Sequence, residues 1–597
     1  MENFADLIVK GNEESERDTY RHHLIESGTQ ELISLSRGLD GRYIRPGPGN
    51  DPVLNPKAIP TGKNFYTFDP RIIPTQRAQE LGAKLAEDMV ANHHSQHGAY
   101  PQKVALQLWG VETIRHMGVQ EAQGFALLGV KPVRDERGRI KDLHLIPREA
   151  LGRPRVDVVF HATSLYRDTF PMLFALLDRA VRLAASSPEE DNPIRRHARE
   201  LEQYLIEEGI PGDQAKTRSL IRIFAEPTGK HDSKIQAMTA SSGSWDAEKQ
   251  VGENYIRRMG HGYGGGIWGQ PMEREFRDAL SGTDAIAHTC ASKIYGTLDN
   301  DDFFSYGGSI ALGVRTVDGG ESPPFFVTDL RTPGQERHEP LQRFLGQEFR
   351  SRYLNPDFAQ GMMDEGYAGA RFVWTGAEYL WGWQVVYPET VDGAKWTELY
   401  EVWMKDRYDL NVDAFFEEHN PHAKQGIASR MLEVVRKGYW DAPQEIVDDL
   451  TKIYVEQVAR HDVACDHLTC DNPELQDFVR EKAEQIPSLD PNTVAAWIQN
   501  VESAIGKSID EAKQKRIADR QEWHRPQEIQ EMNQPNENEA DPNTPQPVEG
   551  YVMEEEEYTQ KELTRADEAQ LYPMSFVIFL VFLSSWAGGF SRGLKRF

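Results

Sequence analysis

The sequence predicts an α/β protein with an open parallel-sheet core. A helix-rich region, a disordered acidic tether and one C-terminal transmembrane helix should follow. Three observations predict this order. Short apolar runs alternate with helical periodicity between residues 60 and 190, the pattern of strands crossing over through helices. One run, Val156–Phe160, delivers His161, Thr163, Ser164, Tyr166, Arg167 and Asp168 at its C-terminal end, where open α/β sheets place their ligands. Met574–Phe590 carries no charged residue and follows a stretch rich in Glu, Asn, Pro and Gln.

The elements follow in order. Residues 1–58 predict a helical segment that ends in the Gly/Pro-dense connector Arg45–Pro56. An α/β subdomain is expected over 59–190. Its long helix, Gln76–His93, places Leu81, Leu85 and Met89 at helical spacing. Its strands are Val104–Trp109, Val130–Pro132, Lys141–Ile146 and Val156–Phe160, and the helix Phe170–Ala184 closes the unit. Residues 191–442 predict a helix-rich subdomain with Gly- and aromatic-rich loops at 241–246, 259–271 and 295–308, and one strand at Phe325–Asp329. A helical extension over 443–522 precedes the tether, 523–572, and the anchor, 573–591.

Bulk properties exclude some functions. A chain of 597 residues exceeds one ordinary core. A net charge of -27 repels phosphate backbones, which argues against nucleic acid as a partner. Three cysteines, Cys290, Cys465 and Cys470, are too few for a disulfide framework. Reduced thiols are expected, with a metal role for Cys465, Cys470, His461 and His467 as the lesser alternative. The N-terminus lacks the basic and apolar regions of a secretory signal. Arg592, Lys595 and Arg596 lie beyond the apolar stretch and place the C-terminus in the cytoplasm, with the body outside. With no export signal to carry the body across, its side of the membrane stays open.

Long words of the sequence resemble the large subunit of the cobaltochelatase and magnesium chelatase H family. They include PTGKNFYTFDPR (60–71), LWGVETIRHMG (108–118), LGVKPVRDERGRI (128–140), LGRPRVDVVFHATSLYRDTFP (151–171), TDAIAHTCASKIYGTLDNDDFFSYGGSIALGVR (283–315) and EEHNPHA (417–423). The resemblance covers about 38–440. It implies insertion of a divalent metal, Co²⁺ or else Fe²⁺ or Mg²⁺, into a tetrapyrrole, with ATP hydrolysed by separate AAA+ subunits. It also implies a chain more than twice this length, so a separate polypeptide carrying the N-terminal half is an expected partner. His161 departs from the Arg–Ile–Ser–Gly run of the cobalamin-pathway branch. The anchor instead looks like that of membrane-anchored relatives linked to haem uptake and iron removal. A non-catalytic tetrapyrrole-binding protein is the third alternative.

Metal insertion needs a flat apolar cavity, a group that exchanges protons with the pyrrole nitrogens, and a ligand over the ring. Trp245, Tyr263, Trp268, Tyr295, Tyr306 and Trp383 are candidate ring contacts. His161, Arg167 and Asp168 are the candidate catalytic group. Arg167 either pairs with a ring carboxylate or closes an internal salt bridge to Asp168. His161, His288, His261 and Asp299 are the candidate metal ligands. No GxxxxGK[ST], GxSxG or HExxH occurs, which argues against an ATP site of that kind or a hydrolase of those classes in this chain.

Overall fold

The computed structural model describes residues 14–49, 52, 58–66 and 70–524. Residues 1–520 form one compact unit. Its centre is an eight-stranded sheet: β1 (Lys103–Leu108), β2 (Asp157–Ala162), β3 (Ile223–Ala225), β4 (His261–Gly264), β5 (Ile267–Pro271), β6 (Ala285–Cys290), β7 (Phe325–Asp329) and β8 (Arg337–Pro340). The spatial order is β8-β7-β6-β1-β2-β3-β4-β5. The five central strands, β7 to β3, run parallel, and β8, β4 and β5 are antiparallel additions at the edges.

The central strands β1, β2 and β6 are buried at every residue, because helices cover both faces. Alternate side chains divide between two cores. Leu106 and Phe160 face one layer with Phe174 and Leu177. Ala105 and Val159 face the other, which continues through Tyr255 and Phe276 into the helical half around Trp381 and Trp383. The helix Gln76–His97 starts where the Thr75 side chain accepts from the Ala78 amide and stops at Gly98, whose φ is 70°. Gly82 lets that helix lie against Val119–Leu128, since a Cβ there would stand 2.6 Å from that of Ala122.

Three expectations change. Val130–Arg134 and Ile140–Leu145 pair with each other, outside the main sheet. Their side chains alternate between burial and exposure, which suits a hairpin rather than a doubly covered strand. The glycine loop at 259–271 is the β4–β5 hairpin, turned by Gly264, Gly265 and Gly266, all at positive φ. Strands from both sides of residue 190 join one sheet, so the α/β and helix-rich portions share it.

Cys465 and Cys470 form a disulfide where thiols were expected, and Cys290 is free and buried. Asp466 Oδ1 accepts from the Leu468 and Thr469 amides, a turn that brings the two cysteines together. Among the described residues no helix is long and apolar enough to cross a membrane. The expected anchor at 573–591 lies outside them, as does the tether beyond the helix Ile509–His524.

Candidate functional site

The C-terminal ends of β1, β2 and β6 open on a cavity of about 570 Å³, within the usual range for small-molecule sites. Trp109 follows β1, Thr163 and Ser164 follow β2, and Tyr295, Asp301, Asp302 and Tyr306 follow β6. Arg115, His231 and Asp232 add to the polar part of the wall. This is the end of the sheet that the His161–Asp168 word indicated.

One wall is aromatic. The Tyr295 hydroxyl donates to Glu112 Oε1 at 2.7 Å, and Arg115 donates to the same oxygen at 3.0 Å. Glu112 is fully buried and also takes the Ala291 amide at 2.6 Å, tying the loop after β6 to the helix after β1. Trp109 packs edge-on against Phe303 with ring centroids 5.5 Å apart.

The opposite wall is acidic. Burial raises the Asp302 carboxyl to about 7, and the Asp301 and Asp232 carboxylates push in the same direction. Burial raises Asp301 as well. Behind the wall, Tyr306 donates to Glu226 Oε1 at 2.7 Å. Glu226 is fully buried just past β3, and its Oε2 has no hydrogen-bond partner among the described residues. Burial raises this carboxyl to about 7 against the Tyr306 hydrogen bond and the Arg167 charge. One carboxyl on the cavity and one behind it are thus poised to gain or lose a proton near neutrality.

The sequence candidates fall into three groups. Tyr295 and Tyr306 line the cavity. Arg167 and Tyr263 act behind it: both donate to the Glu226 carbonyl, at 3.0 and 2.5 Å, and hold that residue in place. Arg167 also closes the internal salt bridge to Asp168 at 2.7 Å, the second of its two expected roles. Asp168 itself is half exposed and 3.8 Å from His231.

The rest are placed elsewhere. His161 is buried between Gln107 Oε1 at 2.7 Å and the Tyr255 hydroxyl at 2.9 Å. Both ring nitrogens are used, and burial lowers its pKa to about 3, so it is a neutral core histidine rather than a free ligand. The physical reason is that it ends a strand whose two faces are both covered. His288 lies in the next strand but one, stacked on Phe303 at 4.6 Å behind the cavity wall. Burial lowers it to about 3, and neither ring nitrogen has a partner among the described residues. Gly307 passes over it in a π-helical turn, Phe303–Gly308, where a Cβ would sit 2.5 Å from its Nδ1. His261 is partly buried on β4, outside the cavity. Asp299 is turned away, bonded to Arg352 and the Gly296 amide. Trp245 and Trp383 are core residues whose indoles donate to the Met238 and Thr297 carbonyls. Trp268 is exposed on the hairpin.

Asp301 and Asp302 belong to the LDNDDFF carboxylate cluster that the sequence offers as oxygen ligands for a metal, whereas Glu226 and Asp232 were not singled out from sequence. The signal for Glu226 was present: RIFAEP (222–227) is another apolar run that ends in an acid.

Comparison with known proteins agrees with the architecture. The family model described as CobN/Magnesium Chelatase matches residues 6–447. The aerobic cobaltochelatase subunit CobN of Sinorhizobium sp is 30% identical over 69% of this chain and 32% of its own length. The H-type magnesium-chelatase subunit of Chlorobaculum parvum is 31% identical over 72% of this chain and 33% of its own. The solved catalytic subunit of cobaltochelatase from Mycobacterium tuberculosis superposes with a TM-score of 0.69 at 29% identity, covering 76% of this chain and 38% of that one. The chain spans about a third of the length of the curated relatives it matches.

Proposed function

Because the chain belongs to the CobN/magnesium chelatase family, we propose that its acid-lined cavity carries out metal–tetrapyrrole exchange. The observation that carries this is a pair of buried carboxyls, Asp302 on the cavity wall and Glu226 behind it through Tyr306, each raised to about 7. Exchanging a metal for two pyrrole protons requires groups that take up or return protons near neutral pH. Asp302 faces the cavity and meets the ring nitrogens directly. Tyr306 links the cavity to Glu226, which serves as a proton reservoir behind it. Trp109, Tyr295 and Tyr306 offer the ring an aromatic face. Arg115 is the cation for a ring carboxylate, the task first considered for Arg167. Asp232 and Asp301 supply oxygen ligands to the incoming ion.

Within this class, cobalt insertion into a corrin precursor, with ATP hydrolysed by AAA+ partners and the remaining family portion supplied by a second polypeptide, is the reading drawn from the named relatives. The Cys465–Cys470 disulfide favours a second reading. Disulfides persist on the oxidising side of a membrane. The apolar stretch 574–590 followed by basic residues favours that same side for the body. An anchored body there lacks cytosolic ATP, and binding haem or removing its iron is the activity that suits it.

The test is an absorption titration of the full chain with haem and, separately, with a metal-free porphyrin. A saturable band shift that weakens in Arg115→Ala and persists in His161→Ala is expected. Absence of a shift with either ring would overturn the proposal. Preference for haem would select the second reading, and preference for the metal-free ring the first.

A further inference from the structure

A second cavity, of about 580 Å³, opens at the opposite end of the sheet, where the parallel strands begin. Its wall includes His93, His97, Tyr100, Lys103, His197 and Asp284. The two charged groups are already engaged. The Lys103 ammonium donates to the Asp278 and Ser281 carbonyls at 2.7 and 2.6 Å. The Asp284 carboxylate accepts from the Gln102 and Lys103 amides at 2.6 and 3.0 Å. Beside these groups the wall offers a ligand three imidazoles.

His93 and His97 stand one turn apart at the end of the helix Gln76–His97, with ring centroids 4.5 Å apart. This i, i+4 spacing is how one helix face presents two imidazoles to a single ion. Each flanking contact leaves the right nitrogen for a metal. His93 Nδ1 donates to the Ala99 carbonyl at 3.0 Å, so Nε2 carries the lone pair. His197 Nδ1 donates to Asp157 Oδ2 at 2.9 Å, the carboxylate–imidazole arrangement that orients metal-binding histidines. Its Nε2 accepts from Arg196 at 3.2 Å, an exposed arginine that also donates to Gln102 Oε1 and must swing aside for an ion to bind.

We propose that this cavity binds a borderline divalent transition ion, of the Co²⁺, Ni²⁺ or Zn²⁺ class, through His93 and His97, with His197 closing on it as a third ligand. Among the described residues no group of three such side chains stands ready to hold an ion, so this binding requires His197 to move to the His93–His97 pair. Imidazole donors select this class over Mg²⁺, which prefers oxygen and keeps its waters. The site lies at the far pole of the sheet and does not depend on the reading of the acid-lined cavity.

Tag-free full chain is titrated with Co²⁺ while its visible d–d absorption is followed, and bound metal is counted after gel filtration. One ion per chain is expected at the histidines, read as the difference in bound Co²⁺ between the parent and the double variant. The His93→Ala/His97→Ala double variant should lose at least about 100-fold in affinity, and His197→Ala about tenfold. The double variant changes residues on the outer part of one helix end, and an unchanged circular dichroism spectrum would confirm its fold. Excess Mg²⁺ should not displace the cobalt. Wild-type affinity in the double variant, no stoichiometric Co²⁺ in the parent, or displacement by Mg²⁺ would each overturn the proposal.

Discussion

The two poles of the sheet treat a buried acid in opposite ways. At the strand beginnings Asp157 is fully buried, and burial pushes its carboxyl up. Arg222 nonetheless grips it with two hydrogen bonds, at 2.9 and 3.0 Å, and His197 adds a third. The Arg222 cation and these hydrogen bonds win, and Asp157 is held far below the ordinary carboxylate range. At the strand ends Glu226 is just as buried, but among the described residues its only side-chain donor is the neutral hydroxyl of Tyr306. It rises to about 7. Burial alone therefore does not make an acid reactive. A buried acid hydrogen-bonded to a cation is locked in one state, and one whose carboxylate no cation bonds directly is left to exchange its proton near neutrality.

Removing an acid from each pole should separate the two roles. Asp302→Asn takes the proton acceptor from the cavity wall and is expected to slow metal exchange about 10²- to 10⁴-fold with little loss of fold, measured by absorption kinetics and thermal melting. Asp157→Asn leaves Arg222 buried without its partner. It should cost about 3–5 kcal/mol in denaturant unfolding, while ring binding per folded molecule is unchanged.

Glu226→Gln reverses the usual sign. The folded carboxyl holds its proton up to about 7, whereas the ordinary value is 4.5. Between those values the folded state carries a proton that the unfolded chain has lost, so rising pH destabilises the protein. The variant escapes this cost. It should be more stable than the parent by about 1–3 kcal/mol above pH ~7 and equal to it below pH ~4.5, by denaturant melts across that window. The smallest effect is expected from His161→Leu, which orphans Gln107 and Tyr255 and costs about 1–2 kcal/mol without altering the ring titration.

The parallel core was legible where strands were long apolar runs. VALQLW and VDVVF announced β1 and β2, and the cluster after β2 lies at the end of the sheet where the acid-lined cavity opens. β6 was hidden because AIAHTC mixes Ala, His, Thr and Cys, whose burial comes from the layers packed on either side. β3 has only three residues, and its place is set by its neighbours. Among site residues, Tyr295, Tyr306 and the NDD run were within reach, since they share one loop word. His161 misled because a polar residue at a strand end can face either the opening or the layer beneath, and the pleat decides which. Asp299 and Asp302 differ by three positions, and only the fold shows that Arg352 claims the first and the cavity the second.

The most direct test of the account is the pH dependence of metal exchange by the full chain. Co²⁺ entry into a metal-free porphyrin and iron loss from haem would be followed from about pH 5.5 to about 8.5, in the parent and in Asp302→Asn. The account predicts a parent rate that titrates with a midpoint near 7, rising with pH for entry or falling with pH for loss. The variant should lose both the rate and the titration. An Asp302→Asn protein that exchanges metal at the parental rate, with the same profile, would contradict it.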